Sequence, residues 1–389
     1  MPAPEGRTPS LRDRIAEEIA CDGPIPFSRY MELCLYEPEL GYYSRAREQF
    51  GKAGDFYTSS DVHAVFGRLL ARQFDEMWRA MGSPAQIDLI ELGPGRGLFA
   101  RDVLDWSAKQ FPDFSRAMKY SLVEQSEHLR AKLRERLSEH IAGGKCEVLE
   151  SPTLSPTEGE KGGSPGVGDN IIVFGNEFFD ALPVEVIDHR GSVRVGYESG
   201  KFVEMFVPLS AAENEFLDRY GVHPEDGERV EAPLVSLSWM ERVADVFRGR
   251  RGFLVLIDYG YTREEQLTGR HQDTIMCYRQ HAASASPYEA PGEQDITAHV
   301  NFTALQARAE QRGLETMGLV TQSQFLIGIG EETEFSDAFQ DCVLPQERAK
   351  VALQLKHLIS PAGMGETFQV LVMSHNVGDT RLTGLNLAR

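Results

Sequence analysis

The run Ile87-Asp-Leu-Ile-Glu91-Leu-Gly93-Pro-Gly95-Arg-Gly97 constrains this chain more than any other stretch. Apolar residues lead into an acid, and glycines then fall at alternate positions, a pattern that reads as a buried strand breaking into a tight turn. From Leu98 the residues Val103, Leu104 and Phe111 keep roughly helical spacing. The turn therefore lies between a strand and a helix N-terminus, where backbone N–H groups lack intrahelical partners. Glycine suits it because a Cβ bars positive φ and the close approach of a ligand. A dinucleotide fingerprint, G-x-G-x-x-G, needs its third glycine at the position that Leu98 occupies here. A nucleoside cofactor of another class is the expectation, with a plain strand-to-helix turn as the alternative.

The 389 residues exceed an average domain, yet α/β enzymes with insertions fill such a length around one sheet. Forty basic against 59 acidic side chains give a formal net charge of −19, and the acids are dispersed, which argues against a nucleic-acid partner. Cys21, Cys34, Cys146, Cys277 and Cys342 are scattered, so neither a disulfide framework nor a metal knuckle is expected. That pattern fits a reducing compartment. No apolar run approaches the roughly 18 residues of a membrane span, so no membrane insertion is expected. The opening Met-Pro-Ala-Pro-Glu-Gly-Arg has neither a secretory nor a mitochondrial presequence pattern, and the expected location is cytoplasmic.

Along the chain, Ser10-Leu-Arg-Asp13 starts a short helix in capping-box fashion, and a second helix begins near Pro26. A polar, aromatic loop from Gly54 to Ser60 precedes an amphipathic helix carrying Val65, Phe66, Leu69, Leu70, Phe74, Met77 and Trp78. Strands are expected from Ile87 into Glu91 and at 120–124, 147–149, 171–174, 253–257 and 368–373, alternating with helices. This alternation implies an α/β, mostly parallel, doubly wound sheet with helices on both faces. The stretch 151–169 is Ser, Pro, Gly and Glu with almost nothing apolar, a surface excursion. Alternating runs flanking Glu198-Ser-Gly-Lys201 read as a β-hairpin. The expected organisation is a helical lead-in over 1–60, a core over 61–190 and 252–389, and an inserted hairpin and helical subdomain over 191–251.

Site candidates stand at strand ends, where open parallel sheets bind ligands. Glu124 closes Tyr120-Ser-Leu-Val123 and can take two ribose hydroxyls; the alternative is a helix N-terminal residue. Asn176, Glu177 and Asp180 follow the strand at 171–174. Glu177 and Asp180, three apart and beside an exposed-looking Phe178-Phe179 pair, are the expected catalytic carboxylates; the alternative is that they begin a helix. His299 is a candidate proton acceptor.

The segments Gly41-Tyr-Tyr43, Gly54-Asp-Phe-Tyr-Thr-Ser59, Glu91 to Gly97, Asn176 to Pro183, Asp258-Tyr-Gly260 and Asp295-Ile-Thr-Ala-His-Val300 span nearly the whole chain. Together they resemble the MidA family of S-adenosylmethionine (SAM)-dependent methyltransferases, which includes a mitochondrial complex I assembly factor that methylates a protein arginine. The resemblance implies a Rossmann-like class I methyltransferase fold, SAM as cofactor, and a protein partner with a target arginine. For the cofactor it implies contacts from Gly54, Thr58, Glu91, Gly93, Gly95, Gly97, Glu124 and Asn176. Asn301 stands where an Asp is expected, the 151–169 stretch is longer than usual, and a bacterial-type member is implied. A non-catalytic assembly protein that keeps the fold is the alternative function.

Overall fold

The computed structural model describes residues 9–44, 64–151, 169–269, 273–279, 282–284 and 286–387. Gly54, Thr58 and nearly all of the 151–169 excursion lie outside the described residues. The chain forms two compact units, one of Tyr57–Phe179, Leu237–Gly260 and Phe302–Arg389, the other of Met1–Phe56, Asp180–Ser236 and Tyr261–Asn301.

The first unit is built on strands β1 (Ile87–Leu92), β2 (Met118–Val123), β3 (Cys146–Leu149), β4 (Asn170–Asn176), β5 (Arg251–Tyr261), β6 (Glu315–Thr321) and β7 (Phe368–His375). Their order across the sheet is β6-β7-β5-β4-β1-β2-β3. Strands β1 to β5 pair in parallel, and β7 runs antiparallel to both β5 and β6. The doubly wound sheet expected from the strand and helix alternation is present. In β4, Ile171, Ile172, Val173 and Phe174 are all buried, as a parallel strand covered on both faces must be. Phe174 stacks on Phe99 of the helix Leu98–Gln110 with centroids 4.5 Å apart, which fixes that helix against the sheet.

The chain winds outward from β1 to β3 on one side and from β4 to β5 on the other. The order therefore reverses between β1 and β4, whose carboxyl ends form the crevice where doubly wound sheets bind ligands. The strand β6 has no counterpart in the sequence reading. Only Val320 in it is fully buried, and a bulge between Thr316 and Gly318 breaks its alternation, so no periodic apolar signal marks it.

In the second unit Ser10 caps the helix Leu11–Asp22, its hydroxyl accepting from Asp13 N–H while Asp13 reaches back to the cap. The hairpin is Gly191–Glu198 with Lys201–Val207, and Ser199 and Gly200 both take positive φ, as a two-residue type I′ turn requires. The units group the chain differently from the boundaries at 60, 190 and 251. Ile25–Pro26 pairs antiparallel with Arg194 and Val195, so the lead-in joins the sheet of the insertion. Ile15, Phe27, Tyr30, Val186, Val193 and Ile296 then share one buried cluster, and this apolar burial makes the three segments a single unit.

Candidate active site

The glycine turn follows β1. Gly93, Gly95 and Gly97 have φ of 61, 51 and 71°, all in the region that favours glycine. A Cβ at Gly93 would lie 2.8 Å from a Phe178 ring carbon, and one at Gly97 would lie 2.6 Å from a Leu133 methyl. Gly93 N–H donates to Val123 O (3.0 Å) and Gly97 N–H to Pro94 O (2.8 Å), which holds the turn closed. Gly97 is also the N-cap of the helix Leu98–Gln110 and has no side chain to cover its first turn. The helix N–H groups there point past a bare backbone, an arrangement suited to a polar ligand.

Glu91, the acid before the turn, is a buried residue of β1, and Tyr120 Oη–H donates to its Oε2 (2.9 Å). Burial pushes its carboxyl up to about 8, and the Tyr120 hydrogen bond opposes the shift only in part. A carboxyl raised in the folded state contributes stability fully below its unfolded value and loses it as pH rises through the folded value. The protein is therefore expected to lose stability between about pH 5 and pH 8, by on the order of a few kcal/mol from this group. Glu91→Gln should flatten thermal melting midpoints over that window and melt above wild type at pH 9.

Glu124 stands just beyond β2, tied by its N–H to Leu149 O (2.9 Å). Its Oε1 accepts from Ser126 N–H (2.8 Å), while Arg130 Nη1 donates to the carbonyls of Glu124 (2.9 Å) and Gln125 (2.7 Å). Burial pushes its carboxyl up to about 7, against the pull of the Ser126 N–H and the Arg130 charge. If Glu124 takes the ribose, the diol donates two O–H groups to its carboxylate, and SAM affinity is expected to rise with pH up to about 7 with proton release on binding below it. Hydrogen bonds to a charged group are worth about 1.5–3 kcal/mol, so Glu124→Gln should weaken binding roughly 10- to 100-fold and abolish the proton release in calorimetry.

At the end of β4, Asn176 Nδ2–H donates to Glu177 Oε1 (2.9 Å), and Asn176 Oδ1 is buried with no hydrogen-bond partner. Glu177 is in the left-handed region, φ 51°, a conformation that costs a non-glycine residue about 1–2 kcal/mol. Its N–H donates to Ile257 O (2.9 Å), and Tyr259 Oη–H approaches its Oε2 (3.4 Å). Residues 177–184 form bends and turns, so Glu177 does not begin a helix. The Phe178-Phe179 pair is not exposed: Phe179 is buried, and Phe178 meets Trp239 edge-on with centroids 5.3 Å apart.

Asp258, buried at the end of β5, holds this loop. Its Oδ2 accepts from Phe178 N–H (3.2 Å) and Phe179 N–H (2.9 Å), its Oδ1 from Tyr259 N–H (3.0 Å). In the sequence Asp258 follows the apolar run 253–257, and an acid at a buried strand end is a signal for such a role. The glycine turn, Glu91, Glu124, Asn176 and Glu177 thus belong to one unit. Three positive-φ glycines beneath a helix end and a strand-end Glu124 fit a nucleoside whose ribose donates two hydroxyls.

Asp180 and His299 belong to the other unit. Asp180 is buried and its carbonyl accepts from Ala298 N–H (3.0 Å), which places it next to the segment carrying His299. His299 is half-buried, and its N–H donates to Thr274 Oγ1 (3.1 Å). Thr274 in turn donates its N–H (3.1 Å) and Oγ1–H (2.8 Å) to the buried Glu231. Asn301 Nδ2–H donates to Tyr220 O (2.9 Å), a tie that an Asp could not make. Among the described residues no group of three or more His, Cys, Asp or Glu side chains could hold a metal ion, and no helix is long and apolar enough to cross a membrane.

The family model of S-adenosyl-L-methionine-dependent methyltransferases matches residues 69–320. The mitochondrial protein arginine methyltransferase NDUFAF7 homolog of Drosophila melanogaster is 30% identical over 390 residues, covering 94% of this chain and 84% of that protein. The mitochondrial protein arginine methyltransferase NDUFAF7 of Homo sapiens is 26% identical, covering 96% and 85%. A crystal structure of a COG1565 superfamily member from Burkholderia thailandensis, bound to S-adenosyl-homocysteine, is 28% identical. It superposes with a TM-score of 0.79 over 97% of this chain and 95% of that one. The fold is the Rossmann-like methyltransferase fold and the cofactor is SAM. With the glycine turn at the switch point of this sheet, a family model matching residues 69–320 and a relative 30% identical over 94% of the chain make it a member of this family of SAM-dependent methyltransferases.

Proposed function

We propose that the chain methylates an arginine side chain of a protein. The related proteins of fly and human bear the name protein arginine methyltransferase over more than nine-tenths of this chain. The observation that carries the reading is Glu177, an acid held in a strained left-handed conformation beyond β4, with hydrogen bonds arriving at both carboxylate oxygens. Strain of that kind is held in place by the surrounding structure and clusters at active sites. A guanidinium is permanently charged and planar, and a fixed carboxylate holds it through charge-assisted hydrogen bonds.

Bound SAM supplies an electrophilic methyl on a sulfonium, so the new N–C bond forms as the C–S bond breaks with its electron pair left on sulfur. The chain's part is positioning: Glu177 orients the nitrogen in line and accepts the proton that this nitrogen loses. Asp180 as second carboxylate and His299 as proton acceptor enter the proposal on their sequence motifs. The net charge of −19 favours a basic protein segment over nucleic acid as the partner. Five free cysteines support a reducing compartment, the cytoplasm in our reading, although the named relatives are mitochondrial.

The test is transfer of labelled methyl from SAM into proteins of a cell extract, followed by mass spectrometric location of the label. Methylarginine in a protein is the expected result. Label on another residue type, or only in small molecules, overturns the reading.

A further inference from the structure

The end of β4 holds more than a single acid. An ionised carboxylate only accepts hydrogen bonds, so the Asn176 amide atom facing Glu177 Oε1 at 2.9 Å is the nitrogen. The amide is thereby oriented, and Oδ1 turns the other way. There it is buried with no hydrogen-bond partner. Buried carbonyl oxygens are nearly always paired, and a ligand or water that completes the pairing is one physical account of an exception beside a strained acid.

Tyr259 is placed by three constraints. Its ring packs against Phe368 with centroids 4.5 Å apart, its backbone is opposite Phe368 in the β5–β7 register, and Asp258 Oδ1 accepts from its N–H at 3.0 Å. Its hydroxyl is therefore a donor held on a rigid strand, reaching Glu177 Oε2 at 3.4 Å. The contact is long for an O–H···O hydrogen bond. Asn176 thus steadies one carboxylate oxygen and Tyr259 the other. The left-handed backbone of Glu177 and its N–H bond to Ile257 O fix where that carboxylate starts.

We propose that Asn176 Oδ1 and the Glu177 carboxylate form a two-point receptor for one N–H-bearing cation, with Tyr259 as the positioning residue that sets the direction of the carboxylate. Two cations have this chemistry, the guanidinium of the acceptor and the ammonium of the methionyl part of SAM. The first rests on the arginine reading above, and the second does not.

The experiment uses the full chain with Tyr259→Phe and Asn176→Leu. Calorimetry is run with S-adenosylhomocysteine and with its analogue lacking the amino group, and labelled-methyl transfer is followed as a function of extract concentration. Tyr259→Phe is expected to bind S-adenosylhomocysteine within twofold of wild type, or about tenfold more weakly if the ammonium is held, and to transfer methyl about tenfold more slowly. Wild-type binding and wild-type transfer by Tyr259→Phe overturn its positioning role, as does a rate loss that tracks a fall in melting temperature.

If the receptor holds the acceptor, Asn176→Leu leaves S-adenosylhomocysteine binding unchanged and raises the half-saturating extract concentration about tenfold. If it holds the ammonium, Asn176→Leu weakens S-adenosylhomocysteine about tenfold, and the analogue binds both proteins equally. Neither change overturns the receptor, and Asn176→Ala repeats the test should the leucine variant fail to fold. A wild-type protein that labels no arginine sinks the arginine reading alone, because the ammonium arm is still read by calorimetry.

Discussion

Gly95→Val is expected to reduce SAM affinity at least 100-fold while the protein stays folded. Gly95 has φ 51°, where a β-branched residue is a steric outlier, so valine forces the turn into another backbone conformation. The N–H groups between β1 and the helix Leu98–Gln110 then no longer converge on one ligand position. The loss is localised because the sheet is held by the buried residues of β1 and β4, Leu89, Ile90, Ile172 and Val173. Gly97→Val is a poorer test, since its side chain would meet the Leu133 methyl at 2.6 Å from Cβ and disturb packing as well. Calorimetry with S-adenosylhomocysteine on both proteins, alongside melting curves, gives the answer. Equal affinity in wild type and Gly95→Val removes the glycine turn from the cofactor site.

Glu177→Gln is expected to lower methyl transfer about 100-fold, in line with about 1.5–3 kcal/mol for a hydrogen bond to a charged group. Its effect on S-adenosylhomocysteine affinity decides which cation the carboxylate holds. Glu177→Gly is the complementary variant. Glycine adopts φ 51° without steric cost, so its melting temperature should stay within a few degrees of wild type while transfer is lost. An acid retained only for folding gives the opposite pattern, reduced stability with transfer preserved. Single-turnover rates and melting curves on the two variants separate these outcomes.

Much of the first unit was legible because its signals are local. The apolar runs opening at Ile87 and at Ile171, the alternating glycines and the amphipathic stripe from Val65 each follow from the spacing of neighbouring residues. So did the Ser10 capping box and the Ser199-Gly200 hairpin turn, whose chemistry lies within a few residues. The strand Glu315–Thr321 was not legible, since only Val320 in it is buried and its own pattern is broken by a bulge. Ile25–Pro26 is two residues long, and only Val195 and Arg194, some 170 positions away, make it a strand.

The candidate site divides the same way. Composition and spacing located Glu91, Gly93, Gly95, Gly97, Glu124, Asn176 and Glu177, because each sits at the end of a strand that the apolar pattern announces. Their partners came from the folded chain. Tyr120 reaches Glu91, Asp258 caps the Phe178 and Phe179 amides, and Tyr259 approaches Glu177, all across strands distant in sequence.

By itself the sequence determined the α/β class, the glycine turn and the acids at the strand ends, since these depend on short-range periodicity and on which residues tolerate positive φ. Tertiary structure alone decided the strand order that sets the turn beside Asn176, the burial that raises Glu91 and Glu124, and the left-handed backbone of Glu177. Those depend on long-range pairing and desolvation, which no local spacing encodes.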